Sequence, residues 1–288
     1  MRDKLILETD KVKQIKSGLQ EDLFEVFYQP IVDLMTNKPV GFEALIRLRN
    51  LDGEIIPASE YISLAEEKGL ISDIMDFVCD TVKKDSAVLL KLCKHLRPYV
   101  NINIAASQMR DIPRALNALK RARAGGLTIN AELTESTMFV DGSLKSQIQK
   151  LNNAGFKVAI DDFGTGYSSI QRLNEISVHT LKIDQTYVQK IEDHKDYTFL
   201  AAIFKLAQTR AENVIIEGIE TLEQKLLIMQ MGMRFAQGYF FCRPMDINSL
   251  EAFLLSSQED KLPPISTPPN STQINTKFSL TSNKRRRA

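Results

Sequence analysis

The sequence predicts an α/β protein, a mostly parallel sheet covered by helices and closing as a (β/α)8 TIM-type barrel. Two observations carry this. Short β-rich apolar runs alternate with stretches of helical period, the pattern of repeated strand–helix units. About eight such runs fall within roughly 240 residues, the size of a barrel domain. An open doubly wound sheet is the alternative left by pattern alone. The absence of a GxGxxG phosphate loop counts weakly against it.

In chain order, residues 1–20 are charged and amphipathic and predict a leading helix. Strands are expected near 24–32, 40–47, 99–104, 128–133, 156–161, 179–183, 213–217 and 234–240. Helices are expected near 58–68, 73–93, 112–123, 142–153, 168–175, 198–210, 221–231 and 247–256. Gly69, Gly126, Gly155 and Gly232 stand where helices would end. From Gln258 the composition shifts to Pro263-Pro264, Pro268-Pro269 and many Ser, Thr and Asn, ending in Lys284-Arg285-Arg286-Arg287. Such a segment buries too little apolar surface to fold. The expected organisation is a leading helix over 1–20, a barrel over 21–257 and a disordered tail over 258–288.

Of 288 residues, 43% are apolar and 25% charged, with a net charge of +1. A uniformly basic nucleic-acid binder is excluded, and no DNA partner is expected. No apolar run approaches the ~20 residues of a membrane span, and the first residues lead into no secretory segment. A cytoplasmic protein is the expectation. Cys79, Cys93 and Cys242 lack CxxC spacing and fit reduced thiols. His95, His179 and His194 show neither HExxH nor HxH spacing. A metal site here is therefore built from oxygen ligands, which favours Mg²⁺ or Mn²⁺ over zinc.

The positions of polar residues in the strands carry the functional signal. Val158-Ala159-Ile160 ends in Asp161, and Val214-Ile215-Ile216 ends in Glu217. Asn101 and Asn103 share one face of their strand, as do Thr180 and Lys182 of theirs. In barrels the active site lies on the C-terminal rim of the strands. Glu43, Asn103, Glu132, Asp161, Lys182, Glu217 and Gln237 are thus expected to converge. A lone acid at a strand end is usually a helix cap or a loop ion pair, but one polar group per strand is a set. Its carboxylates, with Asp162 added, would repel each other and must take up protons or bind cations. Asp161 and Asp162 reach one site only if the strand ends there. Gly164 and Gly166 then allow a sharply turned loop. Asp162-Phe163-Gly164 matches the protein-kinase tripeptide, but no Gly-rich ATP loop or His-Arg-Asp loop accompanies it.

Ordered motifs extend this set: Tyr28-Gln29-Pro30-Ile31, Glu43-Ala44-Leu45-Ile46-Arg47, Asn103, and Glu132-Leu133-Thr134-Glu135. They continue with Asp161-Asp162-Phe163-Gly164-Thr165-Gly166, Leu181-Lys182-Ile183-Asp184, Glu217-Gly218-Ile219-Glu220, Gln237-Gly238-Tyr239 and Arg243-Pro244. Over roughly residues 21–257 the chain resembles the EAL-domain cyclic di-GMP phosphodiesterases. The resemblance implies a modified barrel whose first strand runs antiparallel, and hydrolysis of cyclic di-GMP to the linear dinucleotide with two divalent cations, Mg²⁺ or Mn²⁺. It implies that Glu43, Asn103, Glu132 and Asp161 ligate one ion, and that Asp161, Asp162 and Glu217 hold the second. Such a pair lowers the pKa of a shared water. Lys182 would hold the nucleophile. Glu220 would support the water, and Glu135 would pin the 162–169 loop. Gln237 would complete the site by hydrogen bonds. Arg47 would grip a phosphate with its planar fork, with Gln29 and Leu45 contacting the rest of the ligand. Tyr239 is read as barrel packing.

Two positions depart from the commonest pattern: Ala105, where Ser often stands, and Ile216, where a small residue often precedes Glu217. Neither removes a ligand; both bear on rate. The competing function is a receptor that binds the dinucleotide or a protein without turnover. Every ligand position carries a competent residue, which favours the enzyme. Control is expected from a regulatory protein partner, from expression level, or from a homodimer coupled to the 162–169 loop.

Overall fold

The computed structural model describes residues 2–259 apart from 51, 94–96, 136, 138–143, 166–175, 177 and 192–193. Its strands are β1 (Phe24–Asp33), β2 (Lys38–Arg49), β3 (Ile55–Pro57), β4 (Tyr99–Asn103), β5 (Thr128–Thr134), β6 (Lys157–Phe163), β7 (Thr180–Ile183), β8 (Asn213–Ile216) and β9 (Phe235–Ala236). Its α-helices are α1 (Arg2–Gln20), α2 (Ile62–Glu67), α3 (Ile71–Leu92), α4 (Ile112–Arg123), α5 (Leu144–Asn153), α6 (Thr186–Gln189), α7 (His194–Gln208), α8 (Leu222–Gln230) and α9 (Ile247–Glu259).

The sheet closes on itself. From β2 the ring runs through β4, β5, β6, β7, β8 and β9, each parallel to the last, and β1 joins β9 back to β2. β1 is antiparallel to both its neighbours. This is the modified (β/α)8 barrel, and it removes the doubly wound alternative. β3 pairs only with Arg47–Arg49 of β2 and lies outside the ring. It was not expected, because three residues carry no readable period. The strand expected over 234–240 stops at Ala236. The helix expected over 58–68 is split into a 3-10 turn at Ala58–Glu60 and α2. The helix expected over 168–175 and the tail from 260 onward lie outside the described residues, and α9 runs through Glu259, past the boundary at 257.

Strand alternation divides the molecule into two environments. Outward residues such as Val100, Ile102, Ile129, Leu133, Val158, Ile160, Leu181, Ile183 and Ile216 are buried in one apolar core under the helices. α3 contributes Ile71, Ile74, Met75, Val78, Val82, Leu89 and Leu92 at three- and four-residue spacing, the stripe of an amphipathic helix. Many inward residues are polar: Asn101, Asn130, Glu132, Thr180 and Lys182 are all buried. The helices therefore supply most of the hydrophobic stabilisation, and the lumen is left free to carry charge. Among the described residues no helix is long and apolar enough to cross a membrane.

The rim after β8 and β9 is packed backbone to backbone. Ile219 N–H donates to the Gln237 carbonyl and Phe240 N–H to the Ile219 carbonyl. A Cβ on Gly238 would lie 2.1 Å from the Ile219 oxygen. Gly238→Ala is expected to destabilise the fold by roughly 3 kcal/mol, the upper range for overpacking, read as a lower urea midpoint. An unchanged midpoint would contradict this packing.

Candidate active site

Glu43, Glu132, Asp161 and Lys182 come from β2, β5, β6 and β7, and Glu217 follows β8 directly. Lys182 Nζ lies 3.0 Å from Glu43 Oε2, 2.6 Å from Glu132 Oε1, 3.1 Å from Asp161 Oδ1 and 2.8 Å from Glu217 Oε1. The Lys182 side chain is 0% exposed. Asn103 donates to Glu43 Oε1 at 3.2 Å. Gln237 Nε2 donates to Glu43 Oε2 at 2.7 Å and to Gln29 Oε1 at 2.9 Å. The expected metal-ligand positions and Lys182 thus meet on one rim.

Asp162 joins them by a different route from the one expected. The strand does not end at Asp161; it runs to Phe163, with a register shift against β7 between Ile160 and Phe163. Asp162 sits in this bulge with φ of 56°, which turns consecutive side chains toward the same region. Gly164 N–H then donates to Glu135 Oε2 at 2.8 Å, and the Tyr187 hydroxyl donates to the Gly164 carbonyl. Glu135 therefore touches the segment after β6 and not the acidic cluster.

One ammonium does not neutralise this many carboxylates. Burial alone would lower the Lys182 pKa, but Asp161, Glu132, Glu217 and Glu43 hold it well above the ordinary value. Burial opposes ionisation of Glu43, yet Lys182 and hydrogen bonds from Gln237, Lys182 and Asn103 keep its carboxyl below the usual value. Glu132 pays the balance: burial, then Glu43, push its carboxyl well above the ordinary range, with Lys182 opposing. Burial raises Glu217 to about 8, against Lys182 and aided by Asp161 and Glu43. Asp162 rises to about 6 through burial, then Asp161 and Asp184.

The donor set suits hard cations. Glu43, Glu132 and Asp161 each offer an oxygen within 4.8 Å of the others, and so do Asp161, Asp162 and Glu217. A small divalent ion about 2.1 Å from its ligands spans about 4 Å between opposite oxygens, so either trio accepts one with small side-chain adjustments. Glu132 Oε2 is buried without a hydrogen bond, and Asp161 Oδ1 makes none either, despite its short distance to Lys182. Of the two, Asp161 Oδ1 is ion-paired with Lys182 at 3.1 Å, and Glu132 Oε2 is the one left without a partner. Asp161 belongs to both trios.

The EAL domain family model matches residues 12–244. The chain belongs to the EAL domain family. It is 34% identical over 254 residues to the signaling protein YkoW of Bacillus subtilis, covering 86% of this chain and 32% of YkoW. It is 30% identical over 264 residues to the cyclic di-GMP phosphodiesterase NbdA of Pseudomonas aeruginosa, covering 90% of this chain and 34% of NbdA. The chain thus spans about a third of the length of these relatives. Among solved structures, the EAL enzyme Bd1971 bound to cAMP and cyclic di-GMP superposes with a TM-score of 0.77 at 31% identity, covering 85% of this chain and 69% of that one. The PaMucR phosphodiesterase in complex with c-di-GMP superposes at 0.76 with 28% identity, covering 84% and 99%.

Around the EAL cluster opens a cleft of about 200 Å³ lined by Gln29, Glu43, Leu45, Glu217, Glu220 and Tyr239, among others. Glu220 is exposed on its wall and makes no hydrogen bond to the acidic cluster; its backbone N–H donates to Gln224 at 2.7 Å. Gln29 uses both ends of its amide, accepting from Gln237 and donating to the Cys242 carbonyl at 3.2 Å. Leu45 also lines an apolar hollow of about 390 Å³ between the barrel wall and α2 and α3. Arg47, two residues on along the same face, lies over the Phe27 ring, with one N–H on the Ile46 carbonyl at 2.9 Å. Tyr239 corrects the packing assignment: it is 49% exposed, with the Arg243 guanidinium 4.2 Å over its ring. Gln185 also lines the cleft and was not singled out. The end of β9 at Ala236 is what frees Tyr239. Ala105 bears no hydroxyl, but Gln108 Oε1 accepts from its N–H at 2.9 Å, so the turn is held without one.

In the unfolded chain these carboxyls titrate near 4. Folded, Asp162 and Glu217 keep protons up to about 6 and about 8. The folded, ion-free form therefore binds more protons across this window, and its stability falls as pH rises through it. Cations require the ionised carboxylates and reverse the trend. The Tm without ions is expected to drop between about pH 4 and 8, and the rise on adding Mn²⁺ to grow over the same range. A Mn²⁺ response independent of pH would contradict this.

Proposed function

We propose that this chain hydrolyses cyclic di-GMP to linear pGpG with two divalent cations, Mg²⁺ or Mn²⁺. The observation that carries the reading is the pair of carboxylate trios sharing Asp161 around Lys182. The match to NbdA and to the structures of Bd1971 and PaMucR with cyclic di-GMP supports the substrate.

Glu43, Asn103, Glu132 and Asp161 would hold one ion, and Asp161, Asp162 and Glu217 the other. Bound there, the ions supply Lewis-acid polarisation of the phosphate and a nucleophile from water near neutral pH. Lys182 stays cationic and holds the nucleophile. The reaction adds hydroxyl to phosphorus and a proton to the departing ribose oxygen, so water is the only co-reactant. Arg47 grips a phosphate by its planar fork. Leu45 and Tyr239 flank the ligand, and the apolar hollow beside Leu45 takes one guanine. Gln237 orients Glu43, and Gln29 orients Gln237. Glu135 acts through the Gly164 N–H, and Glu220 acts from the cleft wall on the substrate side. The setting is a cytoplasmic protein, with a homodimer or a regulatory protein as candidate means of control. The barrel of 21–257 carries the activity, and the segments over 1–20 and 258–288 flank it.

Purified chain is expected to convert cyclic di-GMP to pGpG with Mg²⁺ or Mn²⁺. Chelator should abolish conversion, Glu43→Ala should lower kcat at least a hundredfold, and Arg47→Ala should mainly raise KM. Tight binding with no product under either metal would overturn the enzyme and put a receptor in its place.

A further inference from the structure

Below the acidic cluster, the lumen contains two amides that the proposed chemistry does not use. Asn101 of β4 and Asn130 of β5 are cross-strand partners, and both are buried. Asn130 Nδ2 donates to Asn101 Oδ1 at 3.0 Å. Asn101 Nδ2 and Asn130 Oδ1 are left with no hydrogen bond, as is Glu132 Oε2, two residues beyond Asn130 on the same face. Reassigning amide oxygen and nitrogen does not remove the deficit. Turning both amides restores one bond between them and again leaves one donor and one acceptor.

The fold does not demand amides here. Ala159 on the neighbouring β6 holds an inward position, as does Ile215 on β8 farther round the ring, so apolar side chains are tolerated in the lumen. Unmatched buried polar atoms of both kinds mark a bound molecule that both accepts and donates. That describes water. A bare cation would face the amide N–H.

We propose that Asn101, Asn130 and Glu132 Oε2 build a buried water site under the acidic cluster. The water donates to Glu132 Oε2 while Lys182 donates to Oε1 at 2.6 Å. Asn101 and Asn130 are then positioning residues. Their effect on ion binding rests on the reading of Glu132 as a ligand; the water itself does not.

The test pairs a crystal structure of the full chain, at a resolution that shows water, with Mn²⁺ titration calorimetry. The wild type should show one ordered water within hydrogen-bond distance of both amides and Glu132. Asn101→Leu combined with Asn130→Leu should remove it and weaken Mn²⁺ binding about tenfold to a hundredfold, the usual effect of losing a partner that orients a ligand. Its Tm should hold, because both members of the amide pair become apolar together. Asn130→Ser, which keeps an acceptor, should retain Mn²⁺ affinity and the water. A dry lumen in the wild type, or wild-type Mn²⁺ affinity in the folded double variant, overturns the proposal. If the double variant does not fold, the wild-type density and Asn130→Ser decide: water with retained affinity supports the site, and a dry lumen overturns it. Neither readout needs substrate, so failure of cyclic di-GMP turnover is separable. If the wild type binds no Mn²⁺, the metal reading fails, and the density alone decides the water site.

Discussion

The buried Lys182 ammonium is the interaction on which the site depends. A charge fully removed from water is costly unless it is paired, and four carboxylates within 3.1 Å surround this one. The arrangement is over-compensated: the acids exceed the cation, and burial, aided by the neighbouring acids, raises the carboxyls of Glu132 and Glu217. Such a cluster has two ways to relax, protons or further cations. The two carboxylate trios have the donor atoms and spacing to take the second course.

The barrel makes this cluster affordable by keeping it apart from the core. Outward residues bury against the helices, and inward residues need only satisfy one another. The rim is then refined by devices outside the regular strands. The bulge at Asp162 places a second aspartate beside the first, and Glu135 and Tyr187 clasp the chain at Gly164. The Thr221–Gln224 capping box fixes the turn that follows Glu217.

Much of the fold and cluster was legible because each depends on a short period. Glu132, Asp161 and Lys182 lie on inward positions of strands whose alternation is plain in the sequence, and a ring of such strands gathers them. What escaped depends on contacts between segments. The bulge is a register relation between β6 and β7, and no property of Asp162 alone shows it. The antiparallel course of β1 came from resemblance, since alternation does not encode direction. Tyr239 was read as packing because the apolar run looks like a strand through 240, whereas pairing with β1 and β8 stops at Ala236. The partners of the Gln29 amide, Gln237 and the Cys242 carbonyl, lie more than 200 residues away and show only in the folded chain.

The most direct test of the central claim is the number and coupling of ions at the cluster. Mn²⁺ titration of the purified chain, followed by electron paramagnetic resonance, should give two ions per chain with the magnetic coupling of a bridged pair. Asp161→Asn, which alters the oxygen donor common to both trios, should remove that coupling. A single uncoupled ion in the wild type, or a coupled pair that persists in Asp161→Asn, would contradict a site built on shared Asp161.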